Sequence, residues 1–461
     1  MSKKIRVERD ALGEVKVPGN ALWGAQTQRA VDNFPISGLR MPVRFIRALG
    51  QIKKACAQAN LDLGRLEPRV AKAIWLACDE VNCGDLDQQF PVDVFQTGSG
   101  TSTNMNANEV IAYRAKQLLQ DPMAVHPNDH VNMSQSSNDV IPTAIHVAVT
   151  LAIKEQLIPA LEHLAMHLER KTQDFDDVIK TGRTHLQDAA PIRMGQVFSG
   201  YAQQIQLSLV RSRNAITALQ PLALGGTAVG TGLNCPVEFP QKAIAYLNTA
   251  LGTGFIEAEN HFEANASRDA LVEVSGHLRT VAVSVHKIAN DIRWMASGPR
   301  NGLGELRLPA VQPGSSIMPG KVNPVMAEAL IMACAQVIGF DAANTLGGLG
   351  GYFELNLMMP LLAYNLLTAV DILANAIQAF SNRCCAGLEV DKVRCEAAVE
   401  GNLMLATALT PLIGYDRASA LAKEAQRSGK TVREVARAWN VAPEDELTRV
   451  LDGRCMTEPE S

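Results

Sequence analysis

The most regular pattern along this chain is a stripe of apolar residues, spaced three and four apart, in the segment 271–295. Its members are Leu271, Val274, Leu278, Val281, Val285, Ile288, Ile292 and Met295. Such spacing places one apolar seam along a helix. Ser297-Gly298-Pro299 follows directly, and glycine and proline are common where a helix ends. The pattern therefore predicts a long helix that packs along its whole length.

Weaker versions of this pattern run through much of the chain. They predict helices at about 44–60, 68–82, 143–172 and 193–218, near Ala107, from Pro324 and after Pro360. Aromatic residues make up only 5%, whereas Ala and Leu are abundant, which favours helices over sheets. The five longest segments imply a helix bundle. Seams this long also suit packing between subunits, so we expect an oligomer.

The two ends of the chain depart from this pattern. Residues 1–45 contain three prolines and look irregular, and Trp23-Gly24-Ala25-Gln26 is typical of a loop anchored by one aromatic side chain. From about 393 onward the sequence is more charged and is broken by glycines, which predicts a small separate helical domain. A length of 461 residues predicts two or three domains in all.

The composition is that of a globular protein, with 47% hydrophobic and 20% charged residues. A net charge of −4 gives no reason to expect nucleic acid or an anionic membrane as a partner. The N-terminus has no apolar leader, and no run of about 18 apolar residues indicates a membrane span. None of the nine cysteines forms a Cys-x-x-Cys pair, which indicates reduced thiols in a reducing, cytoplasmic compartment.

A polar loop from Gly314 to Pro324 interrupts the helices with the string Gly-Ser-Ser-Ile-Met-Pro-Gly-Lys-Val-Asn-Pro. Its prolines and glycines exclude a regular helix, so its polar groups are presented rather than packed. Lys321 and Asn323 are able to hold an anionic oxygen, and Ser315 and Ser316 offer hydroxyls. An ordinary surface connection between two helices is the alternative interpretation.

Two more polar segments lead into helices, Gln96 to Asn106 and Ser134 to Asp139. Backbone N–H groups at the start of a helix suit a carboxylate, although the same residues are also ordinary helix caps. The first segment lacks the Gly-Lys-Ser/Thr ending of a phosphate loop, and Gly225 to Gly232 lacks the spacing of a dinucleotide site. His163 and His167 have no third metal ligand in the pattern, so exposed or packed histidines are the better interpretation.

A histidine, His185, lies in the segment Gly182 to Asp188, which is predicted to open the helical region 193–218. Together with the other polar segments it completes a set of hydroxyls, amides, one lysine and one imidazole. This set suits a small carboxylate-bearing substrate and the movement of protons. The sequence offers no metal cluster, cofactor loop or nucleophile elbow, so no cofactor is expected. Spacing alone does not show that these segments meet.

These strings resemble the class II fumarases of the fumarase/aspartase superfamily, from Trp23-Gly24-Ala25-Gln26 to Ile413-Gly414-Tyr415-Asp416. The resemblance implies a mostly α-helical fold of three domains, which we place at 1–134, 135–392 and 393–461. It also implies a central five-helix element that forms a twenty-helix core in a homotetramer, with each active site drawn from three subunits. The implied activity is the reversible, stereospecific hydration of fumarate to L-malate through an aci-carboxylate intermediate, in the tricarboxylic acid cycle.

The resemblance also implies roles for individual residues. Ser315 matches the base that takes the C3 proton of malate, His185 the residue that transfers a proton at the hydroxyl end, and Glu328 the carboxylate that orients this histidine. Contacts to the substrate carboxylates are implied for Ser99, Gly100, Thr101, Ser136, Ser137, Asn138, Thr184, Ser316, Lys321 and Asn323. A second dicarboxylate site is implied for His126, Pro127, Asn128 and Asp129.

Aspartase, which eliminates ammonia from aspartate on the same fold, is the nearest alternative. His185, Gly320 and the stretch near Trp23 all favour fumarase over it. Lyases with larger leaving groups, such as argininosuccinate and adenylosuccinate lyase, share the loop. A non-catalytic structural protein on this fold is an alternative from another class, against which the intact Ser315 and Glu328 argue. An iron–sulfur hydratase is disfavoured because no three cysteines have a suitable spacing.

Overall fold

The computed structural model describes residues 5–459, and most of them lie in helices. The prediction of a mostly α-helical chain is confirmed. Contacts between Cα atoms divide the chain into two compact units. The first unit takes in residues up to 158, 210–282 and 335–373, and the second takes in 159–209, 283–334 and 374 onward. The placement of three domains at 1–134, 135–392 and 393–461 stays a prediction.

The first unit is built from helices and short strand pairs. Its helices are Ala25–Asn33, Val43–Asp62, Pro68–Cys83, Thr101–Leu119, Ser137–Ala152, Phe239–Leu251 and His261–Ala266, with π-helical turns at Pro127–Val131 and Ile153–Leu157. Its antiparallel pairs are Ile5–Asp10 with Gly13–Pro18 and Gly351–Tyr352 with Leu355–Asn356, and its parallel pair is Pro221–Leu222 with Ile256–Glu257. The predicted helices at 44–60 and 68–82 are confirmed.

The second unit combines a longer hairpin with the C-terminal helices. The hairpin pairs Ile179–Thr184 with Gln187–Arg193, and a shorter antiparallel pair joins Leu306–Arg307 to Glu389–Val390. The helices are Ile158–Asp174, Lys392–Glu400, Thr410–Ile413, Tyr415–Ser428, Val432–Ala438 and Glu444–Val450. Buried residues between Leu405 and Leu451 form a hydrophobic cluster of their own. The prediction of a helical C-terminal region is confirmed.

Four long helices contain residues of both units. They are Met194–Ala218, Asp269–Met295, Val325–Gly348 and Met359–Phe380. The stripe predicted for the second of them is confirmed, because its members are at most 2% exposed apart from Met295 at 7%. Burial of such a stripe is the main force that holds a long amphipathic helix in place.

Three helical segments contradict the expectation that no part of the chain is apolar enough to cross a membrane. By length and composition alone, Ser137–Asp174, Val325–Gly348 and Met359–Cys385 qualify. Their most apolar windows are 67%, 28% and 61% buried inside the chain, respectively. A few polar residues interrupt each segment, so none of them stands out in the sequence as an unbroken apolar run.

The prediction that residues 1–45 are irregular was wrong for 5–18 and 25–33, and residues 1–4 lie outside the described range. A hairpin covers residues 5–18, and a helix begins at Ala25. The Glu109 carboxylate caps this helix, since it accepts hydrogen bonds from the N–H groups of Gly24 (2.8 Å) and Thr27 (3.1 Å). A cap supplied from 85 residues away leaves no local signal in the sequence.

Two predicted helices begin earlier than expected, at Thr101 rather than near Ala107 and at Ser137 rather than at 143. The second start is fixed by a capping box between Ser136 and Asp139, so Pro142 lies inside the helix. The segment Gly182 to Asp188 was predicted to open a helical region. It forms the turn of a hairpin instead.

Candidate active site

A cavity of about 350 Å³ in the first unit collects the polar segments that lead into helices. It is lined by Thr101, Asn104, Met105, Asn132, Ser134, Gln135, Ser136, Ser137, Thr227, Ala228, Leu233 and Asn234. The helices that begin at Thr101 and Ser137 both start at this cavity, which we call the amide pocket. None of these lining residues carries a charge. Hydroxyl, amide and helix N-terminal N–H groups suit a carboxylate in such a place.

A chain of hydroxyls connects the starts of the two helices. The Thr101 hydroxyl lies 2.7 Å from the hydroxyl of Ser99 and 2.7 Å from that of Ser137. Gly100 makes this turn possible because its φ is 73°, and an added Cβ would lie 2.9 Å from Ile141 Cγ2. Four of the predicted substrate contacts are therefore brought together.

The glycine-rich turn from Gly225 to Gly232 belongs to the same site. Asp139 is fully buried and accepts hydrogen bonds from the N–H groups of Gly225 and Thr227, each at 3.0 Å. The Asn138 amide donates to the Ala228 carbonyl at 2.8 Å. Burial raises the pKa of the Asp139 carboxyl, against these N–H donors, which lower it. The sequence indicates the turn by its glycines but not its place at the pocket.

Several pocket residues were missed by the sequence analysis. They are Asn104, Asn132, Gln135, Thr227 and Asn234. Asn104 and Gln135 lie inside or beside the quoted strings, so the density of amides there was an available signal. Asn132 and Asn234 had no such signal, because only the fold brings them to the pocket.

The loop from Gly314 to Pro324 lies in the second unit and is held mainly by its own residues. The Ser315 hydroxyl oxygen accepts hydrogen bonds from the N–H groups of Ile317 (3.2 Å) and Met318 (2.9 Å). The Asn323 amide donates to the Gly314 carbonyl at 2.6 Å, so its N–H₂ group is partly used inside the loop. Ser316 and Lys321 are exposed. Two N–H donors on one serine oxygen are an arrangement that favours its alkoxide.

His185 lies at the tip of the hairpin in the second unit, next to the exposed residue Thr184. His185 and Leu186 have φ angles of 56° and 59°, as in a two-residue type I′ turn. Non-glycine residues with such angles are uncommon, and they cluster at functional sites. The imidazole is exposed, so it is free to meet a ligand or a neighbouring subunit.

Glu328 lies in the first turn of the helix Val325–Gly348 and is half-buried. Within the described chain, no hydrogen bond joins its carboxylate to the His185 imidazole. The loop Gly314 to Pro324 runs directly into this helix, whereas the hairpin tip is a separate segment of the second unit. The structure does not show the predicted pairing of histidine and glutamate inside one chain.

The predicted second dicarboxylate site lies at the start of a π-helical turn, Pro127–Val131, where His126, Asn128 and Asp129 are exposed. The Nδ1 atom of His126 accepts a hydrogen bond from the Asp129 N–H at 3.2 Å and lies 3.2 Å from the Asp129 carboxylate. The structure therefore keeps the four predicted residues together. Its function stays a prediction.

A larger cavity of about 670 Å³ lies in the second unit beside the hairpin. It contains none of the predicted substrate-binding residues. Its charged residues are largely engaged: Glu305 lies 2.7 Å from Arg183 and 3.4 Å from Lys180. Of the two cavities, the smaller one has the chemistry of a dicarboxylate site.

The histidine pair on the helix Ile158–Asp174 is partly buried. The rings of His163 and His167 contact edge to face, with centroids 4.7 Å apart, and His163 hydrogen-bonds to Asn382. Across residues 5–459, no group of three or more His, Cys, Asp or Glu side chains is arranged to hold a metal ion.

Comparison with known proteins shows similarity to lyases along most of this chain. A family model described as "Lyase" matches residues 13–339, and one described as "Fumarase C C-terminus" matches residues 405–458. The chain is 56% identical to a protein named fumarate hydratase class II from Halobacterium salinarum, over 99% of this chain and 98% of that one. It is 53% identical to another of that name from Thermosynechococcus vestitus, over 95% and 94%.

A solved structure extends this likeness to the fold. The crystal structure of recombinant class II fumarase from Schistosoma mansoni superposes with a TM-score of 0.96 at 38% identity. The match covers 99% of this chain and 100% of that one. Sequence and fold thus agree over nearly the full length of both proteins.

Proposed function

Since this chain belongs to the class II fumarate hydratase family, we propose that it catalyses the reversible, stereospecific hydration of fumarate to L-malate. The observation that carries the proposal is the amide pocket. Its hydroxyl, amide and helix N-terminal groups are able to bind a carboxylate without a charged side chain in its lining. Of the predicted substrate contacts, Thr101, Ser136 and Ser137 line this pocket, and Ser99, Gly100 and Asn138 are next to them in the chain. Thr184, Ser316, Lys321 and Asn323 are further substrate contacts in this proposal.

In the dehydration direction, the Ser315 alkoxide takes the C3 proton of malate. The electron pair moves into the neighbouring carboxylate and forms an aci-carboxylate with two negative charges. A serine hydroxyl is a weak base at neutral pH, so its alkoxide needs stabilisation. The N–H groups of Ile317 and Met318 point at the Ser315 oxygen and provide it. Lys321 adds a positive charge on the same loop.

The second half of the reaction breaks the C2–O bond. His185 delivers a proton to the departing hydroxyl through a bound water, so that it leaves as water and fumarate remains. Glu328 orients the imidazole and stabilises its protonated form. In hydration the same steps run in reverse, and no metal or organic cofactor takes part.

The proposal includes a homotetramer in which each active site draws on several subunits. Only 28% of the most apolar window of the helix Val325–Gly348 is buried inside the chain. Met332 and Leu346 on this helix are 67% and 63% exposed. Large exposed apolar side chains on a long helix favour contact with a partner protein. The partner we propose is further copies of this chain. We place the enzyme in the cytoplasm, with neither nucleic acid nor membrane as partner.

The direct test follows the ultraviolet absorbance of fumarate's conjugated double bond with purified, chelator-treated protein. L-Malate and L-aspartate are offered separately, since both yield fumarate. A rise with malate alone is the expected result. A rise with aspartate alone would show an aspartase, and no rise with either would leave a lyase of larger substrates or a structural protein.

A further inference from the structure

Two neighbouring lysines on the helix Val43–Asp62 have opposite environments. Lys54 is partly exposed, and its ammonium lies 2.6 Å from the Asp79 carboxylate. Lys53 is 0% exposed and is among the largest fully buried side chains of the described chain. A buried ammonium is costly unless its hydrogen bonds are satisfied.

The partners of Lys53 are amide oxygens of the pocket. Its Nζ atom donates to Asn132 Oδ1 and to Gln135 Oε1, each at 2.9 Å. Both residues line the amide pocket. No described carboxylate forms a salt bridge with Lys53, so the positive charge stays uncompensated by a direct ion pair.

Asn132 is the centre of the network around this lysine. Its Oδ1 atom also accepts hydrogen bonds from the amides of Asn104 and Asn108, each at 3.2 Å. Its own amide donates to the Gln135 carbonyl at 3.2 Å. The Oδ1 atoms of Asn104 and Asn108 are buried without a partner. The lysine thus fixes which way two pocket amides point.

We propose that Lys53 is a positioning residue for dicarboxylate binding, because its ammonium orients Asn132 and Gln135 and places a positive charge behind an otherwise uncharged pocket. The inference deepens the proposed function and rests on it. A purely structural role would need only an apolar side chain of similar length, and burying a charge there would bring no benefit. A bound dianion offsets the cost of the buried ammonium, since their attraction is little screened by water.

The test compares Lys53→Met and Lys53→Gln with Lys54→Met as the matched control. Methionine removes both the charge and the donor, whereas glutamine keeps an N–H donor for the two amide oxygens. We expect both Lys53 variants to raise KM for malate on the order of tenfold or more, with a smaller change in kcat. Lys54→Met should behave like the unchanged protein.

A second readout needs no turnover and uses succinate, a saturated dicarboxylate, as the probe. Succinate should raise the Tm of the unchanged protein and of Lys54→Met, but much less that of either Lys53 variant. If succinate raises all four Tm values equally, the inference is overturned. If Lys53→Met fails to fold, Lys53→Gln alone decides between these outcomes.

The pH dependence of succinate binding tests whether the charge of Lys53, and not only the shape of its side chain, contributes to binding. Burial lowers the pKa of Lys53 to about 8, against Asp139, Cys56 and Cys78, which raise it. Burial also raises the pKa of the Cys56 and Cys78 thiols. Succinate stabilisation should weaken as the pH rises through about 8. The same dependence in Lys53→Gln, which keeps Asp139, Cys56 and Cys78, would contradict the inference.

These outcomes keep the two proposals apart. A protein that binds succinate through Lys53 but does not hydrate fumarate would overturn the proposed function and retain this inference. An active protein whose Lys53 variants keep their KM and their response to succinate would overturn only the inference.

Discussion

The amide pocket of the first unit and the loop of the second unit hold their serines in opposite ways. In the pocket, the Ser99, Thr101 and Ser137 hydroxyls bond to one another across two helix starts. In the loop, the Ser315 hydroxyl accepts hydrogen bonds from N–H groups two and three residues further on, and Ser316, Ile317 and Met318 are exposed. The residues proposed for the chemistry therefore lie on open segments of one unit, whereas several of those proposed for recognition lie in the packed part of the other.

The largest expected effect of a single substitution is a loss of kcat at the hairpin tip. His185→Asn should lower kcat by about 10²- to 10⁴-fold, because it removes the proton donor at the hydroxyl end. Asparagine tolerates positive φ, so the hairpin turn should survive. The matched control is His163→Asn on a helix of the same unit, which should leave kcat unchanged. Near-normal turnover of His185→Asn in a folded protein would remove His185 from the mechanism.

The next largest effect should differ between two adjacent serines of the loop, Ser315 and Ser316. Ser315→Ala should lower kcat by roughly 10²-fold or more, because the base is lost. Ser316→Ala should mainly raise KM, because a contact present in both the ground state and the transition state is lost. Steady-state kinetics with malate measures both. A reversal of the two patterns would assign the base to Ser316.

A smaller effect, on stability, tests whether the pocket is packed and the loop open. Gly100 and Gly320 have φ angles of 73° and 79°, so alanine at either position costs about 1–2 kcal/mol in backbone conformation. At Gly100 the new Cβ also meets Ile141, whereas nothing lies within 4 Å at Gly320. Gly100→Ala should lower the Tm more than Gly320→Ala at equal protein concentration. Equal losses would show that the two regions are packed alike.

Sequence patterns predicted several elements whose determining contacts are local or periodic, although two local hairpins, at 5–18 and 179–193, were missed. The stripe from Leu271 to Met295 indicated its helix, and the polar string before Ser137 indicated a helix start. The patterns failed where a distant residue decides the structure. Glu109 caps the helix at Ala25 from 85 residues away, and nothing near Trp23 shows this.

The candidate site divides in the same way. The family resemblance implied a shared role for Ser99, Thr101 and Ser137, and the fold brings their hydroxyls together. The glycine turn at Gly225 was seen as a flexible turn only, because its link to Asp139 depends on tertiary structure. The buried Lys53 gave no signal, since a lysine in a helix is normally exposed.

Hybrid assembly tests the central claim, that binding and chemistry in each site come from different subunits. One variant carries His185→Asn, and the other carries Thr101→Val and Ser137→Ala, so each is defective in one region. Co-expressed with two affinity tags, the purified hybrids should recover about a quarter of the normal kcat if subunits associate at random. Activity no higher than the average of the two variants would mean that a single subunit supplies both regions and would contradict the account.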